Sequence, residues 1–376
     1  MIAKETTLGA DDGIGVAATL ALLISDLPMG RIEGVFTISE ETGMDGAMAM
    51  GPGFFTSKTL VNLDSEDEGQ LFVGCAGGID TTAVFQYTAT DAKPDTKKLT
   101  LSVSGALGGH SGDDINKERA NAVQILVRFL YSELGKYQLA RISGGNKRNA
   151  IARNAEATIF VNADEVNDVI SRFNAFGAAV KNEFHNTDPG LVFETTVGEI
   201  DGKAIDCDTA KRLIMSMIAV NHGVLAMSQD IQGLVETSSN LASIKKEGEK
   251  VTVRSSQRSS KTAARDRMIS VWRAAMELGG ATVSTGSAYP GWAFKSDNAI
   301  VRQVRDSYVR LFQTEPLVKG IHAGLECGLF SEKYPHLDMV SMGPTLRGVH
   351  SPDERLLIPT VKMVWDHLLD MLKHVG

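Results

Sequence analysis

The chain has 376 residues, too many for a single hydrophobic core, so two domains are expected. It is 43% hydrophobic and 22% charged, with a formal net charge of −8. That acidity argues against nucleic acid or an anionic membrane as the main partner.

No apolar run reaches the roughly 18 residues of a membrane span. The opening stretch MIAKETTLGADDG has no apolar h-region of a signal peptide, and a cytoplasmic location is expected. Cys75, Cys207 and Cys327 lie far apart without CxxC spacing, which reads as reduced, buried thiols rather than a zinc site.

In chain order, Ile14–Ile24 reads as a closely packed helix, Gly34–Ser39 (GVFTIS) as a short buried strand and Thr59–Leu63 as another. This alternation predicts a parallel sheet covered by helices. After CAGGID the pattern changes. Lys97–Ser104 alternates polar and apolar residues, as a half-exposed antiparallel strand does.

Further on, helices are expected at Ala120–Leu134, Val166–Phe184, Thr209–Ile218 and Thr262–Leu278, and strands at Ala157–Val161 and Leu191–Val197. Ala242–Lys246 and Lys250–Arg254 read as a hairpin across a Glu-Gly turn. From about Thr282 the α/β character returns, with a helix Asp297–Phe312 capped by Asp or Ser, a buried strand Met339–Met342 and a closing helix Val361–His374. The expected fold class is therefore α/β. A domain with a mostly parallel sheet (residues 1–79 and 281–376) is split by an inserted α+β domain (residues 80–280).

Four segments place acidic or imidazole groups after a strand or at a loop mouth: GADDG (Asp11, Asp12), SEETG (Glu40, Glu41), NLDSEDE (Asp64) and GVHSPDE (His350). Open α/β sheets bind ligands beyond the carboxyl ends of their strands. Taken singly, each motif also reads as a solvated turn, a helix cap or a surface histidine. Together they form the carboxylate-plus-imidazole set that takes Zn, Mn or Co, with a spare carboxylate for general-base work.

TTLGADDGIGVAATLALL, FTISEETGMDGA, LVNLDSEDEGQLFVGCAGGID, GGHSG, RNAIARNAEA, IHAGLECGLF and LDMVSMGPTLRGVHSPDE together resemble the aminoacyl-histidine dipeptidase family. These are carnosinase-like members of the dizinc aminoacylase and carboxypeptidase G group. The resemblance runs from Thr6 to the C-terminal helix. It implies a zinc-exopeptidase fold in which Asp11 bridges two divalent metals, usually zinc, and Glu41, Asp64 and His350 each bind one.

Glu40 is then the general base and Asp12 its neighbour, and the peptide bond after the bridging aspartate is often cis in such proteins. The inserted domain resembles a lid through which such proteins form homodimers. His110 matches the residue that stabilises the oxyanion, often in the partner subunit's site. Asn149 and Arg254 match substrate contacts, the guanidinium suiting a carboxylate. His322 and Gly324 match the loop lining the pocket for the substrate's C-terminal residue.

Three departures stand out. Ala152 occupies a position where the family usually has proline, which is expected to loosen the turn presenting Asn149. SSQRSS after Arg254 is unlike the usual segment. The family also carries a His-x-Asp pair well upstream of the bridging aspartate, whereas ten residues precede Asp11 in this sequence. His336-Leu337-Asp338 matches that pair only by letter. The resemblance thus implies dipeptide hydrolysis, of Xaa-His or broad specificity, with one metal site incomplete in this chain. The alternatives are a non-catalytic dimer, or an aminoacylase-like or carboxypeptidase-like hydrolase.

Overall fold

The computed structural model describes residues 1–28, 30–294 and 298–374. It divides into two compact units: Met1–Gly77 with Gln229–Leu234 and Tyr289–Gly376, and Gly78–Ser228 with Val235–Ala288.

The first unit is built on a four-stranded mixed sheet. Thr59–Asn62 runs parallel to Asp338–Ser341, and Leu317–Ile321 runs parallel to Gln70–Cys75. The two pairs meet in an antiparallel contact at Ser341 and Phe72. Alternation along Gln70–Cys75 separates two cores, because successive strand residues point to opposite faces. Leu71 and Val73 pack with Leu22, Ile300, Val304, Leu368 and Met371, from the helices Ala10–Ile24, Ala299–Phe312 and Ile358–His374. Phe72 packs instead with Phe55, Trp292, Phe330 and Tyr334, and Cys75 joins it beyond a register shift in the pairing with Leu317–Ile321.

Asn298 caps the helix Ala299–Phe312 by accepting the Ile300 N–H at 3.1 Å. The expected caps Ser296 and Asp297 lie outside the described residues.

The second unit is antiparallel. Its nine-stranded sheet is centred on the long hairpin Val235–Glu247 and Lys250–Ser259, so the expected hairpin extends well beyond its predicted ends. Leu99, Leu101 and Val103 turn inward from Thr96–Ser104, as their alternation requires. They join Leu126, Phe129, Leu213 and Trp272 in one core. Asn121 and Asp206 cap the helices Ala122–Ser132 and Cys207–Ala219 through their side chains.

Two expectations are corrected. Residues 34–39 form no strand: a strand needs a ladder partner, and none pairs with this segment among the described residues. Phe36 and Ile38 are instead exposed. Cys207 is also exposed, at the start of its helix, whereas Cys75 and Cys327 are buried as expected.

Candidate metal centre

Asp11 lies in the opening turn of the helix Ala10–Ile24, where it and Asp12 depart from helical geometry and are joined by a cis peptide bond. The first backbone N–H groups of a helix have no partner within it. Here Glu354 supplies one, accepting from Gly9 at 3.0 Å, Ala10 at 2.8 Å and Asp11 at 3.3 Å. Glu40 and Glu41 open the short helix Glu40–Gly43, immediately after Ser39 at φ 59°. Asp64 follows Thr59–Asn62, and its N–H donates to Asn62 Oδ1 at 3.2 Å. His350, at φ 60°, follows the Leu346–Arg347 bridge.

These turns bring three donors to one point. His350 Nε2 lies 2.9 Å from Asp11 Oδ2 and 2.8 Å from Glu41 Oε2, and the three ligand atoms sit within 4.8 Å of one another. The Asp64 carboxyl is hydrogen-bonded to that of Asp11. Two carboxylates and an imidazole at this spacing fit a borderline divalent cation.

The electrostatics agree with a site built for positive charge. Burial, then the charges of Asp12, Glu40 and Asp11, push the Asp64 carboxyl up to about 10. Burial and the Asp11 charge push Glu41 up to about 7. Burial raises Asp12 to about 7 against the lowering pull of the Gly15 N–H. Glu40 is raised by burial, then by Glu326 and Asp11. For His350, burial works downward, but Glu41 and Asp11 outweigh it and the imidazole is raised. Uncompensated carboxylates at close quarters hold protons in this way, and a bound cation would displace them.

Asp12, Glu40, Asp64 and Glu326 also line a cavity of about 570 Å³ in the first unit, which passes along Thr59–Asn62 to the apolar side chains of Leu22 and Met371. His322 is buried just after Leu317–Ile321, and a Cβ at Gly324 would meet the Tyr289 ring at 2.8 Å. The remaining expected residues belong to the second unit. There the Ser111 N–H donates to the Asn149 carbonyl at 2.9 Å, and His110 pairs with Ala150, so the His110 and Asn149 loops adjoin. His110 Nδ1 accepts the Gly112 and Asp113 N–H groups, each at 3.3 Å. Arg254 is exposed on Lys250–Ser259.

At the departing position, Ala152 is buried and its carbonyl accepts the Ala122 N–H at 2.9 Å, which ties this turn to the start of a helix. His336 is exposed, and neither it nor Asp338 joins a metal-ligating group among the described residues.

Sequence reading did not single out Glu354 or Glu326. Both stand inside quoted motifs, GVHSPDE and IHAGLECGLF, but what a glutamate reaches is invisible in the sequence.

Residues 8–374 match the sequence model described as peptidase family M20/M25/M40. The chain is 39% identical over 378 residues to the cytosol non-specific dipeptidase of Escherichia coli, an alignment covering 99% of this chain and 78% of that protein. It is similar to the crystal structure of aminoacylhistidine dipeptidase from Vibrio alginolyticus, with a TM-score of 0.91, 38% identity and coverage of 100% and 77% of the two chains. The aminopeptidase PepT of Bacillus cereus, at 14% identity and a TM-score of 0.50 over 97% of this chain and 71% of its own, shares the fold alone. No helix among the described residues is long and apolar enough to cross a membrane.

Proposed function

This chain belongs to peptidase family M20/M25/M40, and from that premise we propose that it hydrolyses dipeptides with a metal-activated water. The observation that carries the reading is the convergence of Asp11, Glu41 and His350 within 4.8 Å, with Asp64 hydrogen-bonded to Asp11 and Glu40 unassigned beside them. The names of the two relatives near 40% identity point to dipeptides as the substrate class.

Asp11, Glu41, Asp64 and His350 would hold two divalent ions. When bound, such ions polarise the scissile carbonyl and lower the pKa of a water. Glu40 takes the proton from that water and delivers it to the leaving amine. Its partial burial suits the task, because a base held above the ordinary carboxylate range is a better proton acceptor near neutral pH. Zinc is the ion we favour, with manganese and cobalt as substitutes for the same donors.

His110, Asn149 and Arg254 are read as the lid's contribution: His110 to the oxyanion, Asn149 and Arg254 to substrate. Their unit also carries the proposed homodimer contact. His322 and Gly324 are read as lining the pocket for the C-terminal residue.

A second reading, metal retention and dimerisation without turnover, draws on the same donor set. Three donors, and no imidazole besides His350, converge at one point among the described residues. Release of amino acids from a panel of Xaa-His dipeptides, other dipeptides and N-acyl amino acids, with zinc added, separates the readings. Dipeptide turnover lost in Glu40→Gln supports the proposal. Turnover equal in Glu40→Gln overturns the base assignment, a preference for acylated substrates overturns the dipeptide assignment, and zinc binding without turnover favours the second reading.

A further inference from the structure

Glu326 opens the helix Glu326–Lys333 and is 7% exposed. Its Oε2 accepts a hydrogen bond from Thr37 Oγ1 at 2.9 Å, while its Oε1 is buried without a hydrogen-bond partner among the described residues. A buried carboxylate oxygen left unmatched is a cost to folding, so its presence calls for an occupant that supplies a donor. The residue lines the same cavity as Glu40 and Asp64.

The other carboxylates around this cavity have employment. Asp64 and Glu41 are read as metal ligands and Glu40 as the base, Asp12 Oδ1 accepts the Gly15 N–H at 3.0 Å, and both oxygens of Glu33 accept from Thr56 and Ser57. Among the described residues Glu326 is the wall carboxylate with a fully buried oxygen that no donor meets.

A dipeptide carries one cation next to the reacting bond: its α-ammonium stands on the carbon attached to the scissile carbonyl. The group that receives it must therefore lie beside the base that activates the water. We propose that Glu326 is the acceptor for the substrate's α-ammonium, and so sets the preference for free dipeptides over N-acylated amino acids. The inference rests on the dipeptidase reading and deepens it. An N-acyl substrate brings no cation and leaves Glu326 Oε1 unmatched, and a site whose buried polar group goes unpaired rejects such a substrate strongly. Thr37 fixes the carboxylate by holding its other oxygen.

The test is equilibrium binding by titration calorimetry to the zinc-supplemented full chain. The probes are a phosphinic isostere of Ala-Gly, which is not hydrolysed, and its N-acetyl form. The expected result is a preference of about tenfold or more for the free amine, as a charge-assisted hydrogen bond supplies. In Glu326→Gln, which keeps an acceptor for Thr37, that preference falls to about twofold or less with the N-acetyl affinity unchanged. A preference that survives in Glu326→Gln overturns the proposal. So does a native chain that shows no preference or binds neither probe.

If Glu326→Gln does not fold, the native chain and an α-hydroxy analogue decide. Binding as weak as the N-acetyl form supports the assignment, and binding as tight as the amine refutes it. Hydrolysis of Ala-Gly by the same preparation judges turnover separately: an amine preference without turnover sinks the catalytic reading and leaves Glu326 as the ammonium acceptor for a dipeptide that is bound and not cleaved.

Discussion

The Glu354 carboxylate closes the turn that carries Asp11: its Oε1 accepts the Ala10 N–H at 2.8 Å, across 344 residues of sequence. Gly9 and Asp11 donate to the same carboxylate. Glu354→Ala leaves these donors without an acceptor and is expected to lower unfolding stability by about 3 kcal/mol, with Glu354→Gln losing less. Burial pushes the Glu354 carboxyl up, but the backbone N–H groups outweigh it and hold it below the ordinary range. A depressed carboxylate stabilises the fold above its unfolded pKa of about 4.3, and that contribution is lost as pH falls through the lower folded value. Urea unfolding of both variants checks this. A native-like midpoint in Glu354→Ala means the turn is held by something else.

Zinc is expected to raise the melting temperature, because an ion that binds the folded chain stabilises it by mass action. At about a hundredfold excess over Kd the gain is about 2.7 kcal/mol, or about 5–10 °C for a unit of this size. His350→Ala removes the imidazole that meets Asp11 and Glu41 and should abolish most of the shift. At pH 7 the Asp64 carboxyl, at about 10, is protonated, Glu41, at about 7, is half so, and His350 is raised. Binding should therefore release on the order of two protons per chain, read from calorimetry in buffers of different ionisation enthalpy. No proton release would contradict the ligand set.

The same crowding makes a statement about pH in the metal-free chain. Asp64, Glu41 and Asp12 have folded pKa values above their unfolded ones, so the folded state binds more protons and stability falls as pH rises. The window opens near pH 4. Glu41 and Asp12 contribute up to about pH 7, and Asp64 up to about pH 10. The limiting slope is about 1.4 kcal/mol per pH unit for each proton. Denaturant unfolding with a chelator present, from pH 5 to pH 9, should show this decline and a shallower one in Asp64→Asn. Identical profiles for the two proteins would remove Asp64 as its source.

What the sequence made legible was whatever local chemistry decides. The helix Thr262–Leu278 was readable to the residue, because its apolar spacing and flanks are local. Leu99, Leu101 and Val103 announced an inward face by alternation. Of the acidic motifs only Asp64 follows a strand, Thr59–Asn62, so the strand-end argument held for that residue, while Asp11, Glu40 and Glu41 stand at helix starts. Gln70–Cys75 and Gly77–Gln86 went unseen: the first is buried on both faces and so shows no polar–apolar alternation, and the second begins with two glycines. GVFTIS misled because its residues favour a strand, whereas a strand exists only when a neighbour pairs with it. Glu326 and Glu354 were hidden for a related reason. Their partners Thr37 and Ala10 lie 289 and 344 residues away, and no local rule says where a glutamate's carboxylate will arrive.

Lys333 supplies the last prediction. Its ammonium donates to the carbonyls of Ala47, Met48 and Met50 at 2.6, 2.6 and 2.7 Å, capping the end of the short helix Asp45–Ala49. Cations are favoured at helix C-termini, where carbonyls lack partners. That helix adjoins Glu40–Gly43, since Met44 N–H donates to the Glu40 carbonyl at 3.0 Å and Met48 N–H to the Met44 carbonyl at 2.9 Å. Lys333 therefore holds the turn that presents Glu40 and Glu41, and it does so without itself being a ligand. Lys333→Met keeps the aliphatic stem and loses three charge-assisted bonds, for an expected cost of about 2 kcal/mol. Zinc affinity should weaken with it, because Glu41 is then less firmly placed, while Lys333→Arg restores part of both. Calorimetric zinc titration of the two variants distinguishes this from a merely local effect: stability lost with zinc affinity unchanged would show that the turn keeps its form without the cap.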